Sequence, residues 1–223
     1  MPPLRSPTLS LRACGPLAVF SSPAFKVERV TVPVMTPSAA RGLLEAVAWK
    51  PAIRWHIERI KVLAPIQFTS FRRNEVNHRA LTPSLGLVRD GGAPPMYYAD
   101  EDRAQRNTVA LRDVDYVVEA HFSITPAAGP GDNVPKFVDI FRRRVEKGQH
   151  FQQPYFGCRE FVADVTTPDG APKPVDDTRD LGWMLWDIDY GPEGNRPVFF
   201  RAELRNGVLD VPLHRPADEG GAV

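Results

Sequence analysis

Two groups of arginines are the residues of this chain best suited to chemistry on an anion. Arg72 and Arg73 are adjacent, and Arg103, Arg106 and Arg112 punctuate EDRAQRNTVALRD. A guanidinium fork matches two phosphate oxygens at once, so arginines gathered at loop borders point to RNA phosphates. Arg72 and Arg73 close an extended segment. Arg103 and Arg106 flank a polar stretch, 77–108, that reads as a long loop or flexible hairpin. A third group, Arg142, Arg143, Arg144 and Lys147, falls on the polar side of a helix, where a solvated face is the equal alternative. Candidates for proton transfer are sparser. His121 lies beside Glu119 on a strand, and a histidine next to a carboxylate titrates near neutrality. A structural histidine is the competing identity. His150 and Tyr97-Tyr98 are further candidates for a base. The histidines at 56, 78, 121, 150 and 214 have no metal-ligand spacing, and there is no nucleophile elbow, Walker loop or HExxH.

The elements that must position these residues follow from periodicity. Leu9 to Phe20 reads as a strand. Val30, Val32 and Val34 alternate with polar residues, predicting a strand over 27–34. Thr36 is a capping residue, Pro37 a tolerated first helical residue, and Ala40, Leu43, Leu44 and Val47 share a face, which predicts a helix over 37–50. Strands follow over 53–63 and from Ile66 toward Arg72–Glu75, then over 116–124. Val134, Phe137, Val138, Phe141 and Val145 make a helical stripe closed by Gly148. The remainder is β-rich at 155–165, 183–190 and 197–212, with an Asn206-Gly207 hairpin turn. Strand–helix–strand–strand–helix–strand predicts an α+β fold. Residues 1–150 form a ferredoxin-like, RNA-recognition-motif-like domain, and residues 151–223 a small antiparallel β appendage.

Composition bounds the function further. With 28 Lys+Arg against 27 Asp+Glu, the net charge is +1, so any nucleic-acid affinity resides in patches rather than in bulk charge. Hydrophobic residues at 43% of the 223 suffice for a core. The two cysteines, Cys14 and Cys158, form no framework, which suits a reducing cytoplasm. No apolar run approaches the ~20 residues of a membrane span, and Arg12 interrupts any signal core.

Ordered motifs carry a resemblance over most of the chain: KVERV, TPSAARG and WKP in the first block, VLAPIQFTSFRRNEV at 62–76, EDRAQR at 101–106, LRDVDYVVEAHF at 111–122, GCREF at 157–161, DLGWMLWDID at 180–189 and PVFFRAEL at 197–204. The chain resembles the CRISPR-associated Cas-five family of subtype I-C, in the RAMP superfamily. That resemblance implies an endoribonuclease that cuts precursor CRISPR RNA without a metal or other cofactor. It also implies a subunit that holds the 5′ handle of the guide in the Cascade complex, beside the backbone and large subunits. Lys50 of the WKP motif, Arg72, Arg73, Arg103, Arg106 and Arg142 are then RNA contacts. The family's catalytic positions are a tyrosine before WKP and a lysine–histidine pair opening the second helix. Here they are Ala48, Lys136 and Phe137. Lys136 is the surviving catalytic candidate and His121 a substitute base. The second reading is a non-catalytic RNA-binding subunit that receives RNA cut elsewhere.

Overall fold

A computed structural model describes residues 4–21, 28–78, 82–92, 96, 98–191 and 194–216. The elements run β1 (Leu9–Ala18), β2 (Arg29–Val30), α1 (Pro37–Val47), β3 (Ile53–Val62), β4 (Phe68–Val76), α2 (Leu85–Arg89), β5 (Arg103–Ile124), α3 (Val134–Glu146), β6 (Asp164–Thr166), β7 (Arg179–Gly191), β8 (Gly194–Arg205) and β9 (Val208–Asp210). The fold is α+β, with one mostly antiparallel sheet and few helices. The strand order is β6-β1-β5-β3-β9-β8-β7, while β2 and β4 also pair with β5.

β5 is the spine, and it changes partners along its 22 residues. Its first half pairs with β4, from Val76↔Arg103 to Phe68↔Leu111. Its second half lies between β1 and β3, with Leu11↔Val118 on one side and Trp55↔Phe122 on the other. Asp113, at a φ of 52°, marks the change. Alternation fixes the faces. Tyr116, Val118, Ala120 and Phe122 are buried toward the helices, joined by Trp55, Ile57 and Ile60 of β3 and Leu9, Leu11 and Ala13 of β1. α1 contributes Ala40, Leu43, Leu44 and Val47, and α3 contributes Phe137, Val138, Phe141 and Val145.

The helix signals act as their chemistry dictates. Thr36 accepts from Ala39 N at 3.3 Å, and Pro37 is the first helical residue. Asn133 caps α3 by accepting from Lys136 N at 3.0 Å. Asn206 and Gly207 take φ of 48° and 74° and turn β8 into β9, the geometry that favours Asn-Gly. Gly157 is required: at its φ of +78° a Cβ would lie 1.9 Å from Val19 O.

Several boundaries differ from expectation. α1 ends at Val47 rather than at residue 50, because Ala48 turns to extended geometry while its amide still bonds Leu44 O. Of the two readings of 77–108, the hairpin is the nearer: β4 and β5 pair antiparallel across it, α2 lies within it, and β5 begins at Arg103, so Arg103 and Arg106 are strand residues rather than loop residues. β4 continues to Val76, which places Arg72 and Arg73 inside a strand rather than at its end. The half-exposed, polar sequence of this ribbon hid the alternation that strand pairing imposes. The part after residue 150 joins the same sheet twice. β6 pairs with β1 (Ala13↔Val165), and β9 pairs with β3 (Ile60↔Leu209).

Candidate active site and nucleic-acid interface

The end of α1 and the start of α3 converge. Ala48, at the C-cap of α1, accepts from Trp55 Nε1 at 2.9 Å. The Trp55 ring meets Phe122 edge-on at 5.3 Å, and Phe122 meets Phe137 of α3 at 6.1 Å. Arg144 of α3 donates to Val47 O at 2.7 Å, satisfying a carbonyl that the last turn of α1 leaves without a helical partner. Pro51 O accepts from Thr125 Oγ1 at 2.6 Å, which ties the WKP turn to the loop leading into α3.

At this junction Lys136 Nζ donates to Asp132 Oδ1 at 2.9 Å and sits 5.7 Å from the Phe137 ring centroid. Asp132 Oδ2 accepts from Gly129 N at 3.0 Å. The hydrogen bond from Lys136, aided by the Gly129 amide and by the charges of Lys136 and Lys50, holds the Asp132 carboxyl below the usual carboxylate range. Lys136 is bonded directly to Asp132, while the charge of Lys50, on the WKP turn, adds a smaller effect, and both lysines are exposed. An exposed lysine held by one carboxylate can exchange that acid for a phosphate. Ala48 and Phe137 are each 4% exposed and offer no proton chemistry.

His121 is elsewhere. It follows Phe122's alternation to the opposite face of β5, away from α3. It is buried, its Nδ1 lies 2.7 Å from Glu58 Oε1, and its ring stacks on His56 at 5.1 Å. Its carboxylate partner is Glu58. Glu119, which the sequence places beside it, pairs instead with Arg59 and Lys61. His56, whose Nε2 is 2.8 Å from Ser123 Oγ, is pulled down to about 4, first by burial and then by the neighbouring His121. The structure does not bring His121 to Lys136.

The arginines of the β4–β5 ribbon divide by face. Arg72 pairs across from Asn107 and is exposed, and Arg103 is exposed on the same face. Arg73 and Arg106 are directly opposite each other on the other face. Arg73 donates to Glu160 at 2.8 Å, and its guanidinium carbon lies 4.7 Å from the Phe71 ring and 5.1 Å from that of Phe161. Arg29 reaches Glu160 at 2.7 Å and Glu75 at 3.2 Å. Arg106 donates to Asn77 Oδ1 at 2.9 Å. Arg72 and Arg103 are thus presented outward, whereas Arg73 braces the ribbon against the GCREF turn. Arg142 is exposed beside a cavity of about 440 Å³ that Lys61 and Glu119 also line.

Tyr97 lies outside the described residues, and His150 is exposed. Among the described residues no group of three or more His, Cys, Asp or Glu side chains could hold a metal. None of their helices is long and apolar enough to cross a membrane. Sequence reasoning missed Asp132 and Glu160, and it read Arg144 as an RNA contact or solvated face rather than as the brace on Val47 O. For Asp132 a signal existed: it stands four residues before Lys136 and next to a helix cap, in GDNVPK. Arg144 and Glu160 had none, because their partners are 97 and 87 or more residues away.

Residues 8–212 match the family described as CRISPR-associated protein (Cas_Cas5), in its Cas5d form. Two curated relatives are named CRISPR pre-crRNA endoribonuclease Cas5d. The one from Mannheimia succiniciproducens is 47% identical over 92% of this chain and 94% of its own. The one from Thermus thermophilus is 39% identical over 93% of this chain and 92% of its own. The fold is similar to a solved CRISPR-associated protein, at a TM-score of 0.69 and 21% identity, over 94% of both chains. It is also similar to a chain of a CRISPR RNA-guided surveillance complex, at 0.52 and 16% identity, over 96% of this chain and 95% of that one. With its fold and its ordered motifs matched along nearly its whole length, the chain belongs to the Cas5 family of CRISPR-associated proteins.

Proposed function

We propose that this protein binds and cuts precursor CRISPR RNA and then holds the 5′ handle of the guide as a subunit of a type I-C Cascade complex. The observation that carries the catalytic part is the approach of the end of α1 and the WKP turn to the opening of α3, where Lys136 is held on Asp132 beside Phe137. The family places its trio of catalytic positions there.

The chemistry suits RNA. The 2′-hydroxyl beside the scissile phosphate attacks phosphorus as it loses its proton. The 5′-oxygen leaves and gains a proton, giving a 2′,3′-cyclic phosphate and a 5′-hydroxyl. RNA carries its own nucleophile, so the reaction needs no metal. Lys136, released from Asp132 by the incoming phosphate, stabilises the charge that builds on the non-bridging oxygens. Lys50 anchors the neighbouring phosphate. Arg72, Arg103 and Arg142 extend the path, as outward-facing cations on the ribbon and on α3.

The antiparallel order β6-β1-β5-β3, with α1 and α3 on one face, supports a ferredoxin-like reading of this core. On that reading the RNA-binding residues lie within 1–150, and 151–223 is the β-rich appendage. The other Cascade subunits are the proposed protein partners, and the cytoplasm the proposed compartment.

Ala48 and Phe137 favour a second reading, in which the subunit binds RNA and leaves cutting to another enzyme. Incubating the purified protein with its own repeat RNA, with and without chelator, separates the two. Cleavage that survives chelator and is abolished by a 2′-deoxy residue at the cut supports the first. Tight handle binding without cleavage at any protein concentration decides for the second.

A further inference from the structure

We propose that the cavity of about 380 Å³ between α1 and β7 is a pocket for one unstacked nucleobase of the bound RNA, with Tyr190 as its stacking platform and Gly42 leaving room for the ring. This rests on the RNA-binding reading above and adds a base-recognition site to it.

Gly42 is the first observation. It stands in the middle of α1, where glycine is the least favourable residue after proline. Neither usual excuse applies. Its φ is not in the left-handed region, and a Cβ built there meets nothing within 4 Å. The fold itself therefore has no need of glycine at this position. The position lines the cavity, so the vacant space faces whatever enters it.

The chemistry of the walls is the second. Leu185 and Ile188 supply apolar surface, Tyr155 and Tyr190 aromatic rings, and Ser38 a hydroxyl, while none of the described lining residues is charged. Such a site does not select phosphate. It suits a flat, neutral ring with polar edges, and RNA offers unstacked bases of that kind for stacking on tyrosine. Tyr190 is 72% exposed, so much of its ring is open to solvent. The volume lies within the range of small-ligand pockets, about 300–1,000 Å³.

Position is the third. Gly42 and Ala48 are six residues apart on α1, about 9 Å along its axis. The cavity is thus lined by the same helix that leads into the WKP turn.

The test uses the full-length protein and its own repeat RNA in filter binding at several salt concentrations. Tyr190→Ala should weaken binding about tenfold, with the salt slope unchanged because no counterion is involved, and Tyr190→Phe should restore it. Gly42→Ala should raise the Tm of the free protein by about 2–4 °C, while Gly42→Leu should fold but bind RNA about tenfold more weakly. A single 2-aminopurine placed along the handle should change fluorescence on binding to the wild-type protein at one position, and not on binding to Tyr190→Ala. Full affinity in both Gly42→Leu and Tyr190→Ala, with wild-type binding intact, overturns the pocket and leaves the RNA reading standing. A reduced salt slope in Tyr190→Ala makes the contact a phosphate contact and overturns it as well. Intact RNA affinity with failed assembly onto other subunits assigns the cavity to a protein partner instead. No RNA binding by the wild-type protein defeats the parent reading.

Discussion

Asp132 restrains Lys136. The aspartate is held ionised by the lysine it faces, so on the proposed reading the RNA phosphate displaces it to reach the ammonium group. Asp132→Asn should therefore tighten repeat-RNA binding, by a few-fold for removal of one screened charge near a phosphate. Gel-shift titration checks this, and weaker binding would mean that the carboxylate positions Lys136 instead. Lys136→Ala should cut any cleavage rate by about 10²–10³, the usual cost of losing one group that stabilises transition-state charge. The paired substitution Ala48→Tyr with Phe137→His restores the family's catalytic residue types. Both positions are buried, and Phe137 packs edge-on against Phe122. The expected result is faster single-turnover cleavage together with a lower Tm, and an unchanged rate would show that the phenol and imidazole do not reach the phosphate.

At the scale of elements, the β4–β5 ribbon presents its two adjacent arginines in opposite ways. Arg72 is outward and Arg73 is clamped on Glu160 between Phe71 and Phe161. Arg72→Ala should lower the salt slope of RNA binding by about one counterion, with stability unchanged. Arg73→Ala should mainly lower stability, read by urea unfolding. The two helices are joined in the same manner. Arg144→Ala leaves the Val47 carbonyl without its charged donor and should cost about 1–2 kcal/mol. The sheet carries a pH-dependent element where β3 and β5 stack His56 on His121. His56 has a folded pKa of about 4 against an ordinary 6.5. Between these values the unfolded chain binds more protons, so the stability contribution is fully present above about 6.5 and is lost as pH falls toward 4. After allowance for partial exposure the loss is on the order of 1–2 kcal/mol. Denaturation curves at pH 7 and pH 5 should converge for His56→Gln and diverge for the wild type.

The described residues form one sheet over a connected core. Phe156, Phe161, Met184, Phe200, Leu204 and Leu209 from beyond residue 150 belong to the same buried cluster as Leu11, Trp55 and Phe122. β6 covers an edge of β1 and β9 covers an edge of β3. A fragment ending at residue 150 should therefore expose two strand edges and much of that core, and aggregate. A soluble fragment with native RNA affinity would refute this dependence. Bulk charge near zero leaves affinity to the outward arginines and to the Lys50–Lys136 site, so binding should fall steeply with salt through a few named contacts.

Local chemistry was written in the sequence. Thr36-Pro37, the apolar stripes of both helices, the Asn206-Gly207 turn and the alternation from Tyr116 to Ile124 each depend on neighbours within a few residues. Such patterns survive without knowledge of the fold. The ordered motifs likewise named the family and located Ala48, Lys136 and Phe137 as the positions where catalysis is expected. What the tertiary structure decided is everything set by distant partners. The ribbon's strands are mostly polar, with few buried residues to mark a face, so pairing between 68–76 and 103–111 made Arg103 and Arg106 strand residues. Strand alternation then split Arg72 from Arg73. It also turned His121 away from α3, toward Glu58, the unpaired residue of a bulge in β3. The tie between the WKP turn and the loop before α3, from Thr125 Oγ1 to Pro51 O, is of the same kind. Two helix ends come together there because their apolar faces share Trp55 and Phe122, and no local pattern records which buried ring another will touch.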